Sequence, residues 1–413
     1  MKFARRSRCP DATPDSHSAA LVPLSGETSL PGDSSTRHGM GRIEGRAPGP
    51  LVVIVAGMHG NEPAGMQALK NVLGKLVTIE VRGTLIALQG NVKACEVEER
   101  LVDADFNRLW AHARIERVRS IEKSACTFSE ERELWEMVRD IDRIFADAPE
   151  ATSAETSPIF IDIHTASAPS VPFAIGRNNL DHASLFRGLP VPIIAGLEER
   201  LEGLLLQHVL DRGARTLAVE TGPHEGEHAV EQLEAVLWCL LVQAGMIERD
   251  AVPGGEGPRE LLRKLSRGIP PIVEVIHRHE VQARSEFEVE EGLESFDKVA
   301  ANQLLAIDHG REVRAPRRCL LLMPLRQEKG EDGFFLGLDR DRLYLLLSEW
   351  FRRLHLEWLI GMFPSVRREP GLADAWRVDR SDRRYVREAL RFFGYRNQVE
   401  LRSGAILASR RRR

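Results

Sequence analysis

Three apolar segments of strand length constrain the fold of this chain more than any other feature. They are Leu51–Ala56, Ile159–Ile163 and Leu217–Val219. Apolar residues also recur at helical spacing over about 62–76, 130–145 and 227–247. Buried strands that alternate with helices build a sheet that is covered on both faces, so we predict an α/β fold.

Polar residues come directly after each apolar segment. His59 and Glu62 follow the first segment, His164 follows the second, and Glu220 follows the third. Open α/β sheets bind ligands at the edge where strands end, so we expect these side chains to lie close together. Two imidazoles and one carboxylate are the ligand set of a catalytic zinc ion that keeps one coordination position open. A further carboxylate would supply the proton transfers of metal-assisted hydrolysis.

The spacing of His59 and Glu62 is by itself a weak signal. The two residues lie three positions apart across a turn into a helix, so they can face one point, but a helix start at the surface is the simpler interpretation. The strand-end positions of His164 and Glu220 favour a site. A glutamate at the end of an apolar strand is costly unless it is paired or functional. Asp162 is placed to orient a histidine ligand.

A second polar region begins at Arg100 and ends at Arg108. A charged loop is the simpler interpretation of this region. The functional alternative is a substrate clamp, in which Arg108 offers a planar fork to a carboxylate and Asn107 adds amide hydrogen bonds. Arg100 would then stabilise the oxyanion that forms when water attacks a carbonyl group, and Asp105 would hold the loop or the arginines.

Four motifs in one order resemble those of the succinylglutamate desuccinylase and aspartoacylase family, which is similar in fold to the zinc carboxypeptidases. The motifs are Gly-x-His-Gly-Asn-Glu at 57–62, Arg-x4-Asp-x-Asn-Arg at 100–108, Asp-Ile-His-Thr at 162–165 and Glu-Thr-Gly-Pro at 220–223. Members of that family hydrolyse an amide bond in a small N-acyl amino acid. The resemblance implies a mixed sheet sandwiched by helices, with a smaller β-rich C-terminal domain that shields the cavity.

The same resemblance implies one zinc ion per chain and a role for each matching residue. The implied roles are zinc binding for His59, Glu62 and His164, carbonyl polarisation for Arg100, binding of a substrate carboxylate for Asn107 and Arg108, and general base and acid for Glu220.

Changes in composition along the chain predict four regions. Residues 1–48 are rich in Ser, Pro, Gly and Thr, which is typical of a disordered extension. Residues 49–252 would form the zinc hydrolase domain. Short alternating runs predict a β-rich domain over 270–340. Residues 341–413 would form a helical C-terminal extension.

The charge and the cysteine content limit the classes of binding partner and the cell compartment that we expect for this protein. The formal net charge of −4 provides no global basic field for nucleic acid. No apolar stretch is long enough to span a membrane. The 5 cysteines are scattered without a CxxC pair, which favours reduced thiols in a cytoplasm. We therefore expect a cytoplasmic protein, with homo-oligomers allowed, that binds a small carboxylate-bearing molecule and neither nucleic acid nor membrane.

These observations together predict a zinc-dependent deacylase that uses metal-activated water on a linear amide, or on an ester. Within the enzymes, the alternative is a metallocarboxypeptidase that acts on peptides. In a different class, the alternative is a zinc-binding regulatory protein without catalysis. A pure binding module needs neither Glu220 nor Arg100, which argues against that last alternative.

Overall fold

The computed structural model describes residues 36–148, 156–176, 185, 188–198, 200–224, 226, 228–282, 284–370, 372, 374–379, 383–395, 397–401 and 403–409. Residues 1–35 of the predicted disordered extension therefore lie outside the described residues. Residues 39–44, however, form a strand, so the prediction is wrong for that part of 1–48. Gly and polar residues alternate there and give no apolar pattern that would predict a strand. The strand forms because it pairs with a neighbouring strand of the sheet.

Fourteen strands precede residue 340 in the described part of the chain. They are β1 (Gly39–Glu44), β2 (Ala47–Ala56), β3 (Arg82–Gln89), β4 (Ile159–Thr165), β5 (Phe173–Ile175), β6 (Ile193–Ala195), β7 (Arg215–Thr221), β8 (Ile272–Glu280), β9 (Phe287–Val289), β10 (Lys298–Val299), β11 (Leu304–Asp308), β12 (Arg311–Arg314), β13 (Cys319–Leu322) and β14 (Asp332–Asp339).

Eleven of these described strands form one mixed sheet in the order β1-β3-β2-β4-β7-β5-β6-β8-β14-β13-β10. The central strands β3, β2, β4 and β7 are parallel neighbours, which explains their continuous apolar runs. The register places Ala56 beside Ile163, and His164 directly beside Glu220. The ends of β2, β4 and β7 therefore meet at one edge of the sheet.

Helices cover both faces of the central strands. They are α1 (Pro63–Leu76), α2 (Val92–Glu96), α3 (His112–Ser120), α4 (Ser129–Asp147), α5 (Leu205–Asp211), α6 (Ala229–Ala244) and α7 (Gly257–Leu265). Side chains of α4 and α5, such as Met137 and Val209, pack in one buried cluster with Val53 and Phe160 of the sheet. Helix α1 contacts β4 and α6. The predicted α/β fold with a mixed sheet between helices is confirmed.

A β-rich region follows the α/β core as predicted, and its strands belong to two sheets. Strand β8 pairs in parallel with β6, and β14, β13 and β10 then continue the main sheet. Among the described strands, β12, β11 and β9 form a separate three-stranded antiparallel sheet. The continuation brings β14 and the segment before it to the edge where β4 and β7 end.

The C-terminal region contains strands as well as helices. Its elements are α8 (Arg342–Arg353), β15 (Val366–Arg368), β16 (Ala375–Val378), α9 (Arg383–Phe392), β17 (Asn397–Glu400) and β18 (Ile406–Ser409). The four strands form an antiparallel sheet in the order β15-β16-β18-β17. The prediction of a helical extension over 341–413 is therefore wrong for its second half, because strands of three or four residues give too short an alternation to recognise.

A helix with the length and apolarity needed to cross a membrane is absent from the part of the chain that the structure describes.

Candidate metal centre and cavity

The turn after β2 places His59 and Glu62 at the sheet edge. Gly57 has a φ of +72°, a conformation that favours glycine. The chain then passes so close to α2 that a Cβ on Gly60 would lie 2.1 Å from the carbonyl oxygen of Ala94. Helix α1 starts at Pro63, so Glu62 occupies its N-cap position. The small residues of this turn therefore let a histidine and a glutamate point back at the sheet.

The three predicted zinc ligands converge. His59 Nδ1 lies 2.7 Å from Glu62 Oε1, and His164 Nδ1 lies 3.1 Å from Glu62 Oε2. One ligand atom from each residue lies within 4.8 Å of the others. All three residues are buried. Residues that are 102 positions apart in the chain thus share one carboxylate.

Two further carboxylates set the tautomers of both histidines. Asp105 Oδ1 lies 3.2 Å from His59 Nε2, and Asp162 Oδ2 lies 2.9 Å from His164 Nε2. An ionised carboxylate can only accept hydrogen bonds. Each histidine–carboxylate pair therefore fixes a proton on Nε2 of the ring and leaves a lone pair on Nδ1. These lone pairs face the carboxylate of Glu62, which also can only accept.

A divalent cation fits this donor set. Lone pairs on both Nδ1 atoms repel the carboxylate of Glu62 unless a positive charge lies between them. Glu62, Asp105 and Asp162 carry three negative charges against the single charge of Arg100, so a divalent cation would neutralise the group. Ligand imidazoles that donate their other nitrogen to carboxylates are typical of zinc sites.

Proton binding reflects the same imbalance of charge. Burial raises the pKa of Glu62, but the charges of His59 and His164 outweigh burial and hold that pKa well below its usual range. Burial lowers the pKa of His164, but Asp162 and Glu62 outweigh burial and hold it well above the usual range. The cluster therefore attracts positive charge, whether as protons or as a metal ion.

Glu220 lies beside this cluster. It stands opposite His164 in the register of β4 and β7, and neighbouring strands are separated by about 4.8 Å, so both side chains leave the same face. Burial raises the pKa of Glu220 to about 7. Its carboxylate lines the same cavity as His59, Glu62 and His164. Within the described residues, no hydrogen bond engages this carboxylate.

Arg100 reaches the cluster from the loop after α2. Its Nη2 donates to Asp105 Oδ2 at 3.0 Å, and its Nη1 lies 3.9 Å from Glu62 Oε1. Its Nε is buried without a hydrogen-bond partner. The guanidinium group therefore borders the cluster and keeps donors available on the cavity side.

Asn107 and Arg108 line the cavity, but both already bind protein groups. Asn107 donates to Asp162 at 3.3 Å and accepts from the backbone N–H of Leu205 at 3.0 Å. Arg108 Nη2 donates to Asp332 Oδ2 at 2.8 Å. The sequence predicted that Asn107 and Arg108 lie at the site. It gave no sign of Asp332, because that residue comes from β14, far along the chain.

Glu130 organises the loop that carries Asp105, and sequence reasoning missed it. Its fully buried carboxylate accepts the backbone N–H groups of Val102 at 2.7 Å, Asp103 at 3.0 Å and Ala104 at 3.2 Å. In the sequence it resembles any acidic residue in the first turn of an amphipathic helix. Only its burial at the start of α4 reveals the function.

The cavity beside the cluster is lined largely by nonpolar side chains. Those nearest its interior include Ile175, Leu197, Leu201, Leu204, Met323 and Phe335. His224 borders the cavity as well, where its Nδ1 lies 2.7 Å from Thr165 Oγ1 and its Nε2 lies 3.0 Å from Gln327 Oε1. The cavity thus combines the charged groups of the cluster with a large nonpolar lining.

Comparisons with known proteins agree with the motifs. Residues 48–229 match the family model described as "Succinylglutamate desuccinylase/Aspartoacylase catalytic domain". A curated succinylglutamate desuccinylase of Pseudoalteromonas atlantica is 28% identical over 121 residues, which are 29% of this chain and 32% of that protein. The chain therefore matches only about a third of the length of this curated relative.

Solved structures share the fold. An X-ray structure of a succinylglutamate desuccinylase from Vibrio parahaemolyticus has a TM-score of 0.51 at 14% identity and covers 73% of this chain and 86% of that chain. A product-bound structure of the ectoine utilization protein EutE (DoeB) from Ruegeria pomeroyi has a TM-score of 0.50 at 17% identity and covers 72% of this chain and 87% of that chain. At these identities the likeness concerns the fold alone.

Glu130→Ala should destabilise the protein by about 3 kcal/mol, because three backbone N–H groups lose a buried acceptor. The metal affinity should fall as well, because the loop that positions Asp105 would relax. Urea unfolding and zinc titration measure the two effects. Glu116→Ala, at an exposed ion pair, is the control and should change stability by less than about 0.5 kcal/mol. Equal effects of both variants would contradict the assigned role of Glu130.

Proposed function

Because residues 48–229 match the model of the succinylglutamate desuccinylase/aspartoacylase catalytic domain, we propose that this chain is a zinc-dependent deacylase that hydrolyses the amide bond of a small N-acyl amino acid. The observation that supports this proposal best is the convergence of His59, Glu62 and His164 beside Glu220. Two imidazoles, a carboxylate and an adjacent proton acceptor are what metal-assisted amide hydrolysis requires.

His59 and His164 would hold the metal through Nδ1, and Glu62 through its carboxylate. When bound, a zinc ion supplies Lewis acidity that activates water and polarises a carbonyl oxygen. Asp105 and Asp162 keep both imidazole rings in the tautomer that presents Nδ1. This arrangement leaves the rest of the chemistry to residues around the cavity.

Glu220 would move the proton in both steps of the reaction. It takes a proton from the attacking water as the water oxygen bonds to the acyl carbon. It then returns this proton to the amide nitrogen as the C–N bond breaks, so a carboxylic acid and an amine leave. A carboxylate that lines the cavity beside the cluster and is engaged by no hydrogen bond in the described structure suits both transfers.

Arg100 would stabilise the negative charge that develops on the acyl oxygen. Asp105 fixes one end of its guanidinium group at 3.0 Å, while Nε and Nη1 remain for an oxyanion. Preorganised donors of this kind act strongly in a cavity that excludes water.

Arg108 would bind the substrate carboxylate from within an ionic network. Asp332 accepts from Arg108 at 2.8 Å and from Arg278 at 2.5 Å, and Glu280 Oε1 lies 3.3 Å from Arg278 Nη1, so the charges of this network balance. Arg108 Nε has no hydrogen-bond partner in the described structure, so one donor remains for a ligand. Asn107 would chiefly position Asp162 and α5 through its own hydrogen bonds, in addition to lining the site. The sequence-based role of Arg108 stays a proposal, now with Asp332 as its partner.

The nonpolar wall of the cavity favours a substrate with an aliphatic portion. Leu197, Leu201 and Phe335 are buried residues of one apolar cluster, and they offer no donor to a second carboxylate. A succinyl group would bring a charge to this wall, and burying an unpaired charge is costly. An N-acyl amino acid with one carboxylate and one aliphatic portion would match both the charged and the nonpolar groups that line the cavity.

A small substrate fits better than a peptide, which was the alternative among the enzymes. Gln327 binds both Asn61 and His224 across the site, each at 3.0 Å. Lys329 donates to Glu99 at 2.9 Å. The segment before β14 is thus held against Asn61, Glu99 and His224, and we infer that it restricts the space for a peptide chain.

The double substitution H59A/H164A should abolish zinc binding at this centre, because a lone carboxylate remains. Elemental analysis of the purified untagged chain measures the loss, which we expect to be one zinc equivalent. The substitution His228→Ala, at a side chain that is 73% exposed, is the control and should change nothing. An unchanged zinc content in the double variant would contradict the ligand assignment.

Glu220→Gln should leave zinc content and thermal unfolding nearly unchanged while lowering kcat by about 10²–10⁴-fold, because glutamine has a similar shape but accepts no proton. The assay is release of free amine from a panel of N-acyl amino acids. Retained turnover with full metal content would show that another group transfers the proton.

A longer aliphatic portion of the substrate should raise kcat/KM in one of two substrate series. The first series lengthens the acyl chain on glycine, and the second enlarges the side chain of N-acetyl amino acids. Each methylene that the nonpolar wall buries contributes about 0.8 kcal/mol, which corresponds to about fourfold in kcat/KM. Leu201→Asn should flatten the rising series, whereas Leu347→Asn, at an exposed site, should not. Preference for a succinyl over a butyryl group would count against the aliphatic portion.

A further inference from the structure

A second cluster of potential ligands lies outside the cavity. His38 immediately precedes β1, and Glu133 and Glu136 lie on α4. His38 is 0% exposed and Glu133 is 1% exposed. One ligand atom from each of the three residues lies within 4.8 Å of the others, and none of these residues lines the cavity.

The tautomer of His38 follows from its backbone contact. Its Nδ1 lies 2.8 Å from the carbonyl oxygen of Gln89, which can only accept, so Nδ1 carries the proton. The backbone N–H of Gln89 donates to the carbonyl oxygen of His38 at 2.7 Å and fixes the residue further. In the neutral ring, Nε2 therefore presents a lone pair to the interior.

That lone pair faces two carboxylate oxygens. His38 Nε2 lies 3.5 Å from Glu133 Oε2 and 3.7 Å from Glu136 Oε2. None of these three buried atoms has a hydrogen-bond partner. Three acceptors that face one another in a buried place repel unless a proton or a metal ion lies between them. Arg37 Nη1 lies 3.8 Å from Glu136 Oε2, which is too far for a hydrogen bond.

The other oxygens of both carboxylates are already satisfied. Glu133 Oε1 receives Arg37 at 3.0 Å and the backbone N–H of Lys93 at 3.3 Å. Glu136 Oε1 receives the ammonium group of Lys123. These contacts orient each carboxylate so that its Oε2 atom points at His38.

The spacing of these atoms leaves room for a metal ion between them. Zinc binds nitrogen and oxygen at about 2.0–2.2 Å, so two ligands at the tetrahedral angle are separated by about 3.4 Å. The separations of 3.5 and 3.7 Å resemble the edge of a coordination polyhedron.

We propose that His38, Glu133 and Glu136 form a second site for a first-row divalent cation, distinct from the cluster at the cavity. The site joins the residue before β1 to α4, the helix whose Glu130 holds the Asp105 loop. Its role is structural, because none of its ligands borders the space for a substrate. The edge strand β1 would be fastened to the body of the protein through this cation.

Zinc alone is the probe for this site. The untagged full chain, stripped with EDTA and dialysed, is titrated with Zn²⁺ by calorimetry, and bound metal is measured by elemental analysis. The native chain should bind two equivalents. The H59A/H164A variant should retain one equivalent, and the same chain with His38→Ala added should bind none. Zinc should raise the Tm of H59A/H164A and leave that of the triple variant unchanged.

Two further variants keep the test decisive. If His38→Ala impairs folding, Glu136→Gln replaces it at a partly exposed position and should also remove one equivalent. His228→Ala again serves as the exposed control. A folded H59A/H164A chain that binds no zinc would overturn the second site, as would a triple variant that still binds one equivalent. Neither result would affect the proton-transfer role tested by Glu220→Gln.

Discussion

The shared contact between Glu62 and two imidazoles is the interaction on which the candidate site depends. His59 comes from the turn after β2, and His164 comes from the end of β4, so this single carboxylate joins two strands. Burial makes such a group costly unless positive charge compensates it. The cost is offset only if both rings keep their orientation, which Asp105 and Asp162 enforce from the outer side. A proposed metal ion would complete this balance of charge.

The rest of the structure supports that geometry from two directions. Glu130 holds the loop before Asp105 through backbone N–H groups, so α4 helps to fix the position of Asp105 in the cluster. On the other side, β14 and the segment before it bring Asp332 and Gln327 to the cavity. The extended sheet thus contributes both polar and nonpolar side chains to the cavity lining. The proposed second cation site would act on the same helix, α4, from its outer face.

Local patterns predicted the strongest elements of the fold. The apolar runs of β2, β4 and β7 and the helical periodicity of α1, α4 and α6 are long enough to identify, because buried parallel strands and amphipathic helices have distinct spacings. Short strands such as β1 and β15 were missed. Their side chains carry little pattern, and they form because a neighbouring strand offers backbone hydrogen bonds. The continuation of the main sheet through β8 and β14 likewise depends on pairing between distant segments.

The sequence by itself determined which chemical groups stand at the ends of the strands and, through four motifs, which family the domain over 48–229 resembles. The tertiary structure alone decided that Asp332 pairs with Arg108, that Glu130 organises a loop, and that His38 faces two glutamates. Motifs are local because a turn or a strand end constrains neighbouring residues. Ion pairs and buried orphan atoms depend on the distance between segments far apart in the chain, and only the folded packing sets that distance.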